Sequence, residues 1–270
     1  MSGRDSLGDR MKTYENVNRN YLTRRTPVII RIDGKAFHSF TKGMKKPFDE
    51  IMQNTMKQTM KYLCENIQGC KLGYTQSDEI SLLLTDYETI DTQAWFDYNI
   101  QKMASVSASM ATMAFNRFFR ENVEYIMSLM YESWNPKSED IEYLEKMENK
   151  FDKAMFDSRV FNLPNSEVTN YFIWRQQDST RNSIQSVGRA YFTHKELDCK
   201  NCNDIQDMLF IFKGINWNDL PTYNKRGCCC TKVVNINFKN SETIYVRSGW
   251  EIDDNIPIFT QDRNYVERFV

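Results

Sequence analysis

The sequence predicts an α+β fold, and three observations carry that expectation. A β-branched apolar run, Val28-Ile29-Ile30-Arg31-Ile32, ends in Asp33-Gly34. Apolar residues then recur at three- and four-residue intervals from Phe48 to Ile67. Two short apolar-rich runs follow, separated by Ser77-Asp78. A strand, an amphipathic helix and a hairpin in that order form one unit in the first third of the chain, with further helices and strands after it.

Each element has its own signal. Residues 27–32 read as a buried strand with a carboxylate at its C-terminal tip. A polar loop with Lys42, Lys45 and Lys46 follows. The next helix carries Phe48, Ile51, Met52, Met56, Met60, Leu63 and Ile67 on one face, has Pro47 near its first turn and is closed by Gly69. Lys71–Gln76 and Ile80–Leu84 read as the two arms of a hairpin with the carboxylates Asp78 and Glu79 at or beside its turn. Residues 94–120 form a long helix rich in small residues, and 139–153 a charged, solvent-facing one. Residues 156–163 read as a strand, 167–187 and 205–212 as helices, and 228–238 and 243–247 as two last strands. No repeat or low-complexity tract interrupts this order. A division at about residue 135 separates the strand–helix–hairpin core (1–135) from the remainder (136–270), either as two parts of one compact unit or as a single domain.

Composition narrows the function. The net charge of −1 argues against a protein that coats nucleic acid non-specifically, so nucleic-acid contact has to come from clustered Lys and Arg. No apolar stretch approaches the roughly eighteen residues a membrane span needs. The polar start, with Asp5 and Asp9, resembles neither a secretory signal nor a strong transit peptide, which leads us to expect an intracellular protein, with the cytoplasm ahead of the mitochondrion as its location. Seven cysteines include Cys199 and Cys202 in CxxC spacing, with His194 nearby, and the run Cys228-Cys229-Cys230. One CxxC is half a zinc site; without a second, ordinary thiols are the simpler reading.

The chemistry resides in two carboxylate sites. Asp33 ends a strand, Asp78 and Glu79 sit at a hairpin turn, and one crossover helix connects them. Such a unit brings Asp33 and Asp78 close across neighbouring strands, where they repel unless cations sit between them. Magnesium is hard, oxygen-seeking and commonly held by one or two carboxylates plus substrate phosphates. Two such ions can polarise both the attacking and the leaving oxygens of a phosphoryl displacement. The neighbouring Lys-rich loop would supply cations for a triphosphate. Spacing alone leaves a plainer alternative open, because Ser-Asp-Glu is a common turn or cap and Asp-Gly after a strand is a common turn. Two histidines, His38 and His194, without a nucleophile elbow give little support to a Ser-His or Cys-His mechanism.

Several ordered motifs resolve the matter by resemblance. Arg31-Ile-Asp-Gly-Lys-Ala-Phe-His38, Lys46-Pro47 and Tyr74-Thr-Gln-Ser-Asp-Glu79 resemble the tRNA-His guanylyltransferase family and its Thg1-like relatives. So do Phe156-Asp-Ser-Arg-Val160, Trp174-Arg-Gln-Gln-Asp178, Asn218-Asp-Leu-Pro221 and Lys225-Arg-Gly227, all in the family's order. The resemblance implies a polymerase-palm-like, ferredoxin-like βαββαβ core with additional helices and a C-terminal β/α extension. It implies addition of nucleotides in the 3′-to-5′ direction to a tRNA 5′ end, after activation of the 5′-monophosphate with ATP or GTP. Asp33 and Asp78 would hold two magnesium ions with the carbonyl of Gly34, and Glu79 would be the third catalytic carboxylate. Arg31, Lys35, Ala36, Phe37, His38, Lys46, Ser77 and Lys102 would face the nucleotide and its triphosphate. Arg159, Arg175, Asn182, Lys195, Lys225 and Arg226 would contact RNA. Homotetrameric assembly is a further expectation of this kind.

One departure bears on the substrate. Members that guanylylate tRNA-His carry His-Ile-Asn-Asn-Leu-Tyr-Asn after the Trp-Arg-Gln segment, where this chain reads Thr180-Arg-Asn-Ser-Ile-Gln-Ser186. The histidine is missing, and Asn182 matches the first of the two asparagines. This is similar to the Thg1-like branch that repairs truncated tRNA 5′ ends, which is therefore expected ahead of tRNA-His-specific guanylylation. A palm-fold nucleotide cyclase would share the paired carboxylates and the triphosphate-binding lysine, but no Gly-Gly-Asp/Glu-Glu-Phe-type hairpin is present. A tRNA-binding protein that had lost catalysis would gain nothing from keeping Asp33, Asp78 and Glu79 together.

Overall fold

In the computed structural model the described residues are 6–132, 137–240 and 243–270. Six strands form one antiparallel sheet: β1 (Val28–Gly34), β2 (Cys70–Gln76), β3 (Glu79–Leu84), β4 (Phe156–Asn162), β5 (Cys228–Asn240) and β6 (Thr243–Asp253), in the order β4-β1-β3-β2-β5-β6. Helices α1 (Leu7–Asn16), α2 (Phe37–Phe40), α3 (Glu50–Asn66), α4 (Ile100–Glu132) and α5 (Ser138–Glu148) come before or between the first four strands. Then come α6 (Asn165–Tyr191), α7 (His194–Leu197), α8 (Cys202–Lys213), α9 (Thr222–Arg226) and α10 (Asn264–Glu267). Within this order β1-α3-β2-β3-α4-β4 is a βαββαβ unit with sheet order β4-β1-β3-β2. Strands β4 and β5, from the second half of the chain, pair with β1 and β2 from the first, so both halves share the sheet.

Both faces of the sheet are covered, which is why its central strands read as continuous apolar runs rather than alternating ones. Val28, Ile30 and Ile32 of β1 point to α3 and α4, together with Ile80, Leu82 and Leu84 of β3. Ile29, Leu72, Tyr74 and Leu83 point the other way, to Val168, Tyr171 and Phe172 of α6 and to Phe259 and Val266 near the C-terminus. Helix α3 is capped by Asp49, whose side chain accepts from Met52 N–H, so Pro47 lies ahead of the cap rather than in the first turn. Its inward stripe includes Met56, Met60 and Leu63, all fully buried; each contributes roughly 1.5–3 kcal/mol by leaving water.

Four elements differ most from the sequence expectation. The small-residue helix begins at Ile100 and continues to Glu132, because 95–98 is a separate tight turn. Phe96, Asp97 and Tyr98 have φ of 51°, 53° and 59° there, and Arg24 pins Asp97 and Asp86. Helix α5 is shorter than expected and amphipathic, with Leu144 and Met147 buried in the core. Strands β5 and β6 extend as a ribbon to Asn240 and Asp253.

Candidate active site

Asp33 stands near the end of β1, opposite Glu79 on β3 and Asp157 on β4. Residues directly opposite in an antiparallel pair have Cβ atoms roughly 4.5–5.5 Å apart, so these three carboxylates share one face at one end of the sheet. The hairpin is closed tightly beside them. Thr75 Oγ1 donates to the Glu79 carbonyl at 2.8 Å, and Gly34 N–H donates to the Asp78 carbonyl at 3.1 Å. The two-residue loop forces φ of +50° on Ser77, a conformation usually given to Gly or Asn. The cost, roughly 1–3 kcal/mol, is of the kind that accumulates at functional sites. Ser77 Oγ donates to Asp78 Oδ1 at 3.0 Å. Gly34 is required sterically, since a Cβ there would stand 2.4 Å from the ring of Phe37. Phe37 itself is locked against Phe115 and Phe156.

The carboxylates divide by their partners. Glu79 is buried and ion-paired at both oxygens: Oε2 accepts from Arg31 at 2.6 Å, and Oε1 from Arg175 Nε at 2.7 Å. Arg175 also donates to Asp178 Oδ2 at 2.6 Å, and Arg181 holds the other oxygen of Asp178. Asp157 has Arg159 beside it at 3.5 Å. Asp33 makes no side-chain hydrogen bond or ion pair among the described residues, and Asp78 has only the Ser77 hydroxyl. Burial raises the Asp78 carboxyl above its ordinary range, and the charge of Asp33 adds to the rise. Burial likewise raises Glu79, with Arg175 and Arg31 opposing.

This donor set fits a hard divalent cation: two neighbouring carboxylates with open oxygens, a backbone carbonyl at Gly34, and room for substrate phosphates. Among the described residues no cluster of three or more His, Cys, Asp or Glu side chains is arranged to hold a metal by itself. Cys199 and Cys202 are free thiols at the α7–α8 junction, while Cys228, Cys229 and Cys230 are buried in β5.

Beside Asp78 opens a cleft of about 690 Å³. Its floor is Gln76, Ser77 and Asp78; one wall is the loop 41–49, the other the α6 face of Ser179, Asn182, Ser183, Ser186 and Arg189. The structure thus brings Asp78, Ser77, Phe37, His38, Lys46 and Asn182 together around one space. Lys35 and Ala36 are exposed at the β1–α2 turn, where Ala36 has φ of +56°. Arg159 is exposed on β4 opposite Arg31. Lys225 and Arg226 follow the cleft residues Tyr223 and Asn224 on α9, with Lys225 Nζ donating to the Asn218 carbonyl at 2.5 Å.

Four expected residues do not join the site in the expected way. Arg175 is only 3% exposed and its guanidinium is held by Glu79 and Asp178, so it is an internal ion-pair partner and not an RNA contact. Glu79, expected as the third catalytic carboxylate, is paired at each oxygen with a guanidinium, Arg31 and Arg175. Lys102 lies at the start of α4, with its ammonium over the ring of Phe96 at 5.9 Å. The residue of α4 that packs on Phe37 is Phe115, roughly 20 Å further along the helix at 1.5 Å per residue, so Lys102 is at the opposite end of the sheet. Lys195, on α7, is exposed and does not line the cleft. Conversely, the sequence reading assigned no role to Asp157, although it lies inside a recognised motif; only its register with Asp33 exposes it.

The profile of the family described as tRNAHis guanylyltransferase matches residues 8–164. The chain belongs to this family. Among its relatives, an uncharacterised protein of Acanthamoeba polyphaga mimivirus is 26% identical over 249 residues, covering 88% of the chain and 81% of that protein. The tRNA(His) guanylyltransferase of Saccharomyces cerevisiae is 28% identical over 219 residues, covering 76% of the chain and 82% of the enzyme. A bacterial tRNA(His) guanylyltransferase (Thg1)-like protein solved in complex with ATP is 48% identical with a TM-score of 0.79, covering 98% of this chain and 99% of that one. A bacterial tRNA(His) guanylyltransferase (Thg1)-like protein solved in complex with GTP is 46% identical with a TM-score of 0.76, covering 98% of this chain and 99% of that one. The solved S. cerevisiae tRNA(His) guanylyltransferase, 23% identical with a TM-score of 0.62 over 90% and 96% of the chains, shares the fold. The family is one of nucleotidyltransferases, which favours that class over a cyclase. No helix among the described residues is long and apolar enough to cross a membrane.

Proposed function

We propose that this chain adds nucleotides in the 3′-to-5′ direction to the 5′ end of tRNA, and that its substrates are truncated 5′ ends in need of repair. The observation that carries the reading is the pair Asp33 and Asp78. Of the carboxylates gathered at this end of the sheet, they are the two without a guanidinium partner, and Asp78 lines a cleft with lysines on its far wall. Similarity to proteins solved with ATP and with GTP supports a nucleoside triphosphate as the occupant. The βαββαβ topology supports a palm-like catalytic core.

In this mechanism Asp33, Asp78 and the Gly34 carbonyl would hold magnesium, which would offset negative charge on the reacting phosphates. Lys46 and Lys42 receive the triphosphate as point charges. Ser77 orients Asp78 through its hydroxyl, and the Arg31–Glu79–Arg175 pairing stiffens the strand behind it. A tRNA 5′-monophosphate is first activated by ATP or GTP. In that activation a 5′-phosphate oxygen attacks the α-phosphorus of ATP or GTP and pyrophosphate leaves; the 3′-hydroxyl of the incoming nucleotide then attacks the activated 5′ phosphorus, and AMP or GMP leaves. Asn182 faces the nucleotide from α6, while pairing to the opposite strand of the acceptor stem selects the base. The segment Thr180–Ser186, which lacks the histidine of the tRNA-His guanylylating members, favours repair. A homotetramer acting in the cytoplasm completes the reading.

The test offers the protein a tRNA lacking its first nucleotide, with magnesium, ATP and the four nucleoside triphosphates. Extension of the 5′ end that disappears in Asp78→Ala and in EDTA is expected. No extension, or extension indifferent to Asp78→Ala, overturns the proposal. Preference for tRNA-His over other truncated tRNAs would replace repair with guanylylation.

A further inference from the structure

The connection from α4 to β4 runs from 133 to 155, far longer than the roughly 2–6 residues such joints need. Its helix, α5, reaches back to the Lys-rich loop. The Tyr143 hydroxyl donates to Asp49 Oδ2 at 2.6 Å. The same oxygen accepts from Lys45 N–H at 2.8 Å, while Oδ1 accepts from Met52 N–H at 3.1 Å. One buried carboxylate therefore ties the loop, the cap of α3 and α5 together. Just beyond α5, Lys150 Nζ donates to the carbonyls of Phe40 at 2.6 Å and Lys42 at 2.9 Å. Lys45 is also drawn onto α5, 4.6 Å from the Tyr143 ring centre and 3.8 Å from Asp140. Lys42 and Lys46 differ: their ammonium groups make no hydrogen bond or ion pair among the described residues, and both line the cleft.

We propose that Tyr143 and Lys150 are positioning residues, which fix the loop 41–46 so that Lys42 and Lys46 present their charges to the triphosphate of the bound nucleotide. This rests on the reading that the cleft takes a nucleoside triphosphate, and it gives the long α4–β4 connection a task within that reading. The loop needs such bracing. Gly43, at φ of +87°, gives it a flexible midpoint. A cation on a loose segment loses affinity to the ordering that binding imposes; a backbone locked beforehand removes that loss. The Lys150 ammonium is committed to two carbonyls, so it acts through the loop and does not itself reach phosphate.

The experiment uses the full chain and compares Tyr143→Phe, Lys150→Met and Lys150→Arg, each alone and with Lys46→Ala. Affinities for magnesium-ATP and for adenosine are measured by calorimetry, and amide exchange is followed across residues 41–46. Lys150→Met is expected to weaken magnesium-ATP about fivefold, the scale of one lost hydrogen bond, while adenosine affinity stays within about twofold. Lys150→Arg should restore most of the loss. The effect should shrink in the Lys46→Ala background, with Lys42 carrying what remains, as coupling through a shared partner requires. Equal losses for ATP and adenosine, or the same loss without Lys46, would overturn the proposal. If Lys150→Met fails to fold, Tyr143→Phe, which removes a single hydroxyl, decides by the same criteria. If the wild-type protein does not bind magnesium-ATP, the functional reading fails on its own. The brace is then judged by exchange alone, and unchanged protection of the Lys45 amide in both variants refutes it.

Discussion

Arg175→Met separates two accounts of the same residue. The side chains of Arg175 and Glu79 are each 4% exposed and meet at 2.7 Å. Breaking a buried pair by removing one partner costs about 3–5 kcal/mol, because the remaining charge is stranded. Arg31 still holds the other oxygen of Glu79 at 2.6 Å, which puts the expected loss near the lower end, about 3 kcal/mol. At about 2–4 °C per kcal/mol for a chain of this size, Tm should fall by about 6–12 °C. The pH dependence has a definite sign. Burial already holds Glu79 above its ordinary range, so the folded state binds this proton more tightly than the unfolded one. Stability from this group is therefore lost as pH rises through its folded pKa, and removing Arg175 enlarges that loss. Denaturant melts at pH 7 and pH 5 should show the variant recovering part of its deficit at the lower pH. Adding Glu79→Gln should recover much of it at pH 7. A loss under about 1 kcal/mol, no benefit from the second substitution, or unchanged stability with a raised KM for RNA would refute the internal ion pair.

Further outcomes follow from the same geometry. Asp33→Asn and Asp78→Asn should each lower 5′ extension by on the order of 10²–10³-fold, as removal of a charge-stabilising group does elsewhere, with the fold kept by circular dichroism. Without magnesium, stability should fall as pH rises from about 4 through the raised pKa of Asp78, and magnesium should oppose the fall; the melts of Asp78→Asn should lack this component. Gly34→Ala should cost about 1–3 kcal/mol, read from denaturant melts, since its Cβ meets the Phe37 ring at 2.4 Å and that ring is held by Phe115 and Phe156.

The strand, helix and hairpin around Asp33 and Asp78 were legible because periodicity and turn chemistry are local properties. The helix stripe from Ile51 to Leu63 and the apolar arms around Ser77-Asp78 need no tertiary information. The start of α4 was not legible. A left-handed turn at Phe96 to Tyr98 runs against the preference of those residues, and Arg24, far away in sequence, holds it. Nor was the partner of Glu79. Nothing in Trp174-Arg-Gln-Gln-Asp178 tells a surface arginine from one buried beneath a neighbouring strand. The motif lies on α6, but only the packing of α6 on β3 reveals which way Arg175 points. Lys102 was misplaced for a related reason: nearness in sequence to a helix start does not fix which end of the sheet that helix leaves.

The triplet Ser77-Asp78-Glu79 shows how adjacent acids come to play different parts. Asp78 is in the loop and points to the cleft. Glu79 is the first residue of β3, and the strand's alternation turns it to the α6 face, between Arg31 and Arg175. Its charge is thus balanced within the protein before any ligand arrives, as Arg159 does for Asp157. Asp33 has Glu79 and Asp157 on either side, yet neither neighbour's guanidinium reaches it as an ion pair among the described residues. The repulsion felt by Asp78 therefore comes from Asp33 specifically, and a divalent cation is the partner that would relieve it. It follows that Glu79→Gln should perturb stability and strand order more than metal affinity, and Asp33→Asn the reverse. Magnesium titrations on the two variants would distinguish these roles, and an equal loss of metal affinity in both would show that Glu79 is a ligand after all.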